Sequence, residues 1–278
     1  MSEVAGISLS EIILMVVVLA AAGLAVGYLA GLLGIGGGGI AVPILYEVFR
    51  LAGVDDEVRM HLAVGTSLAV ILPTSLRSFW LHRKRGAVDT GVLRAIGPGV
   101  LLGVAIGILI ASRVDGTVLK IVFVFVAYLM AVRLLTGADR WQLGDQLPGP
   151  AVSLPVGFFT GLASALNGIG GGAFITSYMM LYGRQMLTSL ATASGVGPII
   201  ALPGVLGYMW AGFTQEALPP GSLGYVSLIG AALVVPASLI AAGWGVRSAH
   251  RFSKRTLERA FAAFMLVVGT RFLLSLVG

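Results

Sequence analysis

GLLGIGGGGIAVPIL, residues 31–45, and GLASALNGIGGGAFI, residues 161–175, are the two stretches on which the fold turns. Each sets a glycine run inside an apolar segment, Gly34-Ile35-Gly36-Gly37-Gly38 in one and Gly168-Ile169-Gly170-Gly171-Gly172 in the other. Repeated glycine lowers helix propensity and opens conformations closed to other residues. Each run therefore predicts a broken helix, followed by a short one starting near Ile40 or Ala173. The rest of the chain is too apolar for a soluble fold. Of its 278 residues 57% are hydrophobic and only 11% charged, against about 25% charged in soluble domains. Apolar runs of about 20 residues, enough to cross a hydrocarbon core of about 30 Å, recur from end to end. The expected fold is an all-α polytopic membrane protein. Soluble enzymes, disulfide scaffolds (the chain has no Cys) and disordered chains are excluded.

Apolar segments lie near 8–33, 40–52, 60–81, 87–111 and 117–136, and again near 151–167, 173–182, 187–212, 222–246 and 256–277. This gives eight full spans, or ten segments if the short helices are counted. The polar interval GADRWQLGDQLPGP, residues 137–150, separates a first repeat, 1–136, from a second, 151–278. Arg113 and Arg251 differ by 138 (251 − 113), as do Pro98 and Pro236, Gly107 and Gly245, Phe123 and Phe261, and Arg133 and Arg271. The glycine runs differ by 134 (168 − 34). So many matches at one register indicate an internal duplication. The segment before the first apolar run holds Glu3 and no Lys or Arg, unlike a cleaved signal, so the first segment reads as a permanent span.

Charge sets the expected orientation. The basic loops are His82-Arg83-Lys84-Arg85 and the stretch holding Arg251, Lys254 and Arg255, and the acidic ones are Asp55-Asp56-Glu57 and the region of Glu216. With four plain crossings per half, the basic loops would face opposite sides, against the positive-inside rule. If the short helix after each glycine run returns toward its origin, each half has five segments and the second inserts upside down. Both basic loops then become cytoplasmic, and both termini lie outside. The net charge of +6 is explained by this orientation rather than by nucleic-acid binding.

Broken helices leave N–H and C=O groups that must be buried in protein or line a wet cavity. Short helices beginning at the breaks would aim free N–H groups and a positive dipole end at one point, a geometry suited to an anion. Two breaks related by an in-plane two-fold would converge near the midplane, where secondary transporters bind substrate. The competing explanation is that the glycines merely permit close helix packing. Gly34-x-Gly36-x-x-Gly39 also fits a dinucleotide fingerprint, but neither run opens a βαβ unit. Candidate substrate residues are Gly36, Gly37 and Gly38, Gly170, Gly171 and Gly172, and the polar residues Thr66, Ser67, Asn167, Thr192 and Ser194. The segment His61 to Ser67 matches Ala191-Thr192-Ala193-Ser194, which puts Ala193 at the place of Thr66. Hydroxyls at these positions can donate to oxyanion oxygens, or bond back to helix carbonyls. Asn167 offers amide donors or a helix cap. His61, Glu47 and Arg77 are candidates for gating or proton coupling. An interfacial hydrogen bond for His61, a solvated Glu47 and an Arg77 snorkelling to the basic cluster are the plainer readings. Asp89 reads as a helix cap, and Arg113, Arg133, Arg251 and Arg271 as anchors at span ends.

Taken together, GLLGIGGGGIAVPIL, HLAVGTSLAV (61–70), GAVDTGVLRAIGPGVLLGVAIG (86–107) and GLASALNGIGGGAFI resemble the TauE/SafE family, the sulfite exporter or toluene sulfonate uptake permease family. The resemblance covers nearly the whole chain. It implies a bacterial inner-membrane carrier of small sulfur-containing anions such as sulfite or sulfoacetate, with no cofactor or metal and with export and uptake both represented. It also implies that the glycine runs and Thr66, Ser67, Thr192 and Ser194 line the pathway. Beyond substrate and lipid bilayer no partner is expected, and self-association is left open. An anion or small-solute pore, and an uptake carrier coupled to a cation, are the alternatives.

Overall fold

The computed structural model describes residues 9–33, 38–136, 142–249 and 254–277. Among them are ten helices, five in each half: α1 Leu9–Leu33, α2 Gly38–Leu51, α3 Asp56–Lys84, α4 Thr90–Ala111, α5 Gly116–Thr136, then α6 Pro150–Asn167, α7 Gly172–Leu181, α8 Met186–Ala211, α9 Leu228–Ala249 and α10 Lys254–Val277. One small antiparallel ribbon, β1 Ser222–Leu223 with β2 Val226–Ser227, lies between α8 and α9. Seven helices are long and apolar enough to cross a membrane, namely α1, α3, α4, α5, α8, α9 and α10. This is an all-α polytopic membrane protein.

Local chemistry sets the helix starts. The Asp89 carboxylate accepts from Gly91 N at 3.0 Å and Val92 N at 3.2 Å, capping α4 as the sequence suggested. Pro150 opens α6 at a position where its missing N–H costs nothing. The second hairpin turns back on itself. Ser153, in the first turn of α6, meets the Tyr178 hydroxyl near the end of α7 at 2.9 Å. Leu143 N, ahead of α6, donates to Leu181 O at 2.7 Å. Thus α7 returns to the end from which α6 started.

Packing reveals the symmetry. Along α3 and α8, Gly65 lies by Tyr208, Gly204 by Leu68, Gly197 by Ser75 and Gly195 by Phe79, so the two run antiparallel. α5 and α10 do the same, with Phe123 on Phe272 at 5.1 Å between ring centroids and Tyr128 bonded to Thr270 at 2.8 Å. Counterpart helices that meet each other therefore point opposite ways, which an inverted repeat requires. The remaining large seams pair α1 with α9 and α4 with α6, each running parallel. Gly107 meets Ala165 and Gly23 meets Ala237 there, at distances that leave no room for a Cβ. Small residues thus let these helices pack closely.

His82 of α3, Leu257 of α10, Met186 of α8 and Gly243 of α9 surround one cavity, so the basic end of α3 and the start of α10 lie at one end of the bundle. The acidic Asp55–Glu57 segment and the end of α10 lie at the other, where Arg271 pairs with Glu47 at 3.1 Å. Cysteines at Asp55 and Glu216 are expected to label from one face of the membrane, and those at Lys84 and Arg255 from the other. Labelling of Lys84 and Arg255 from opposite faces would refute the inversion.

Candidate functional site

The described break is built from α6, α7 and one side chain of α3. Gly168 (φ 63°) ends α6 and Gly171 (φ 68°) starts α7, both left-handed, and together they reverse the chain. A Cβ on Gly168 would lie 2.7 Å from Val42 Cγ2, and one on Gly171 would lie 2.5 Å from Ile200 Cδ1. Conformation and space both demand glycine there. Ser164 O accepts from Ile169 N at 3.2 Å, and Gly168 O accepts from the Ser67 hydroxyl at 2.9 Å. Gly36 and Gly37 of the first run fall outside the described residues, and Gly38 is the first residue of α2.

A cavity of about 760 Å³ extends from this break to the basic end of the bundle. Gly170 and Gly172 form part of its inner wall, with Ala173, Thr176 and Ser177 of α7. Arg77 and His82 come from α3, Arg133 from α5, Ser194 from α8, Ser238 from α9 and Glu258 from α10. The Thr176 hydroxyl oxygen is sealed from solvent and has no hydrogen-bond partner. Arg133 reaches toward Ala173 O in the first turn of α7 at 3.5 Å. It is half-buried near the end of α5 and turned to the cavity, where the sequence suggested only an anchor. Its guanidinium therefore adds a fixed cation beside a helix N-terminus, where both favour a negative solute.

The other candidates divide. Ser194 lines the cavity, but its hydroxyl donates to Ala191 O at 2.6 Å. Arg77 lines it too and makes no hydrogen bond or ion pair among the described residues. Thr66, Ser67, Asn167 and Thr192 are fully buried behind the wall. Thr66 Oγ1 accepts from Ser227 N at 3.0 Å, just ahead of α9, and Thr192 Oγ1 accepts from Asp89 N at 2.9 Å, just ahead of α4. Both bonds tie equivalent places, since 227 − 89 is 138. Thr192, not Ala193, is hence the counterpart of Thr66. The sequence register was one residue out because an apolar helix offers few landmarks. Gly171 packs behind the wall against Ile200, Thr160 and Ser164.

Among the described residues the acidic end is packed closed, and none of them there lines the cavity. The ribbon folds in over α3, where Tyr225 stacks on His61 at 4.7 Å between ring centroids and Val226 is fully buried. His61 Nε2 lies 3.0 Å from Ala111 O and 3.1 Å from Val114 O, joining α3 to the end of α4. Nearby, Lys120 of α5 is buried, with Nζ 3.1 Å from both Asp56 oxygens. Asp56 also accepts from Tyr46 OH and Arg59 Nη1, each at 2.9 Å. Glu47 is bound in a partly exposed pair with Arg50 at 2.7 Å. Both His61 and Glu47 are thus at the sealed end, away from the cavity. Lys120 went unremarked in the sequence, although a charge inside the apolar run 117–136, where Arg133 near the end is the other one, was a signal. Among the described residues no cluster of three or more His, Cys, Asp or Glu could hold a metal.

The family described as sulfite exporter TauE/SafE matches the chain over residues 19–272. A probable membrane transporter protein of Haemophilus influenzae is 28% identical over 242 residues, covering 87% of this chain and 92% of that one. One of Methanocaldococcus jannaschii is 27% identical, covering 95% and 97%. A third, YunE of Bacillus subtilis, is 26% identical, covering 74% and 84%. No solved structure matches. With a match running from the first span almost to the end of the last, the chain belongs to the sulfite exporter TauE/SafE family and is a multi-pass membrane transporter.

Proposed function

We propose that the chain is a secondary transporter of a small sulfur-containing oxyanion, sulfite or an organosulfonate such as sulfoacetate, exporting it across a bacterial inner membrane by alternating access. The basic end then faces the cytoplasm, and both chain ends face outward. The observation that carries this reading is the one-sided cavity, which joins the basic end to the helix break while the acidic end is sealed. A solute entering from the basic end passes Arg77 and meets Arg133 and the N-terminus of α7. Free N–H groups and a guanidinium match the several acceptor oxygens of a sulfite or sulfonate. An open pore is the weaker alternative, because it needs a continuous path through the sealed end. In an inverted repeat, the opposite state arises when the halves exchange conformations.

Arg133 supplies the test. A hydrogen bond to a charged group contributes about 1.5–3 kcal/mol. Arg133→Gln should therefore raise the KM for sulfite roughly tenfold to a hundredfold in proteoliposomes, at similar yield and thermal stability. An unchanged KM for sulfite and for sulfoacetate would remove Arg133 from the substrate path.

A further inference from the structure

The polar face of α6 holds two oxygens that neither the fold nor the anion path uses. Ser164 and Asn167 are fully buried. They lie three residues apart on one face of the last turn, where side chains are neighbours. Ser164 Oγ and Asn167 Oδ1 both lack a hydrogen-bond partner. The amide orientation is set by its surroundings. Asn167 Nδ2 donates to Ala163 O at 2.9 Å, and a flipped amide would put two acceptors face to face. Oδ1 is thus an acceptor with no donor, sealed inside the protein, a costly state unless something fills it. Neither residue is among those lining the cavity. A Cβ on Gly171 would come 3.3 Å from Ser164 Oγ, so this hydroxyl lies against the turn between α6 and α7.

We infer that Ser164 Oγ and Asn167 Oδ1 form part of an alkali-cation site at the C-terminal end of α6. Three facts point to a cation. Oδ1 can only accept, so an anion is excluded at that atom. The last carbonyls of a half-helix carry partial negative charge, which favours a cation at that end. The two oxygens, although neighbours, are not bonded to each other, as expected of ligands sharing an ion. The donor set is neutral, and calcium or magnesium sites call on carboxylates, which selects a monovalent ion. Its place differs from that of the anion, which the N-terminus of α7 and Arg133 would hold. A cation here would tie the hairpin turn to the cation gradient, and inward cation movement in exchange for the anion agrees with export.

The test uses the full-length purified protein with no oxyanion present, so its outcome is independent of what the cavity carries. Thermal unfolding is followed against rising NaCl, KCl or choline chloride at constant ionic strength. The inference expects a saturable rise of several degrees with sodium or potassium over choline. Ser164→Ala should weaken the half-saturating concentration about tenfold or more, and Asn167→Leu should abolish the response. Equal midpoints in all three salts would mean that the two oxygens hold only water, and would overturn the site. A cation response retained in Ser164→Ala at wild-type strength would overturn it as well, even if Asn167→Leu failed to fold.

Discussion

Gly171→Ala is expected to destabilise the protein by about 2–5 kcal/mol, whereas Gly172→Ala, one residue along, leaves its stability nearly intact. At 171 the backbone is left-handed, a conformation that costs a residue with a Cβ about 1–2 kcal/mol. The new methyl would also lie 2.5 Å from Ile200 Cδ1 and 3.0 Å from Thr160 Cγ2, and overpacking typically costs about 1–3 kcal/mol. At 172 nothing lies within 4 Å of an added Cβ, and the residue opens α7 with helical geometry. The contrast separates the conformation of the break from a general intolerance of change in a glycine run. Thermal unfolding of the two variants in detergent decides it. Equal stability would show that the left-handed turn does not fix the hairpin.

Asp56→Ala should cost far more than Lys120→Met, although both remove the same ion pair. The Lys120 side chain is 4% exposed and that of Asp56 is 61% exposed. Without Asp56, an ammonium stays buried beside the Tyr46 ring with its counter-ion gone, and leaving one partner of a buried pair uncompensated costs about 3–5 kcal/mol. Without Lys120, Asp56 remains hydrated and paired with Arg59 at 2.9 Å, so the loss should be about 1 kcal/mol or less. The double variant should recover most of the difference, because the buried charge is then gone. If Asp56→Ala costs no more than Lys120→Met, the cluster does not hold the sealed end together. Lys120 has an opposite-charge counterpart in Glu258 (258 − 120 is 138), which lines the cavity at the open end. The repeats are therefore alike in backbone path and unlike in charge at their two mouths.

The coarse architecture was legible in the residues because it rests on properties that a bilayer enforces. Apolar length fixed the segments, glycine density marked the break at 168–172, and the placing of Arg and Lys demanded inversion. The antiparallel course of α3 against α8 agrees with each of these. Side-chain direction was less accessible. Arg133 lies three residues before the end of α5, and only its helix phase decides whether it faces lipid headgroups or the cavity. Thr66 and Thr192 read as donors to a substrate, yet each accepts a main-chain N–H from the segment ahead of a neighbouring helix. A hydroxyl inside a span suits either role, and partners 161 and 103 residues away are not visible in a local pattern.

Counterflow tests the carrier reading most directly. Proteoliposomes preloaded with unlabelled sulfite are diluted into a trace of radiolabelled sulfite, and internal label is followed with time. A transporter whose one cavity opens to one side at a time predicts transient accumulation of label above its equilibrium level, lost in Arg133→Gln at low substrate. Label that rises monotonically to equilibrium, at a rate that does not saturate with concentration, would contradict alternating access and leave a pore in its place.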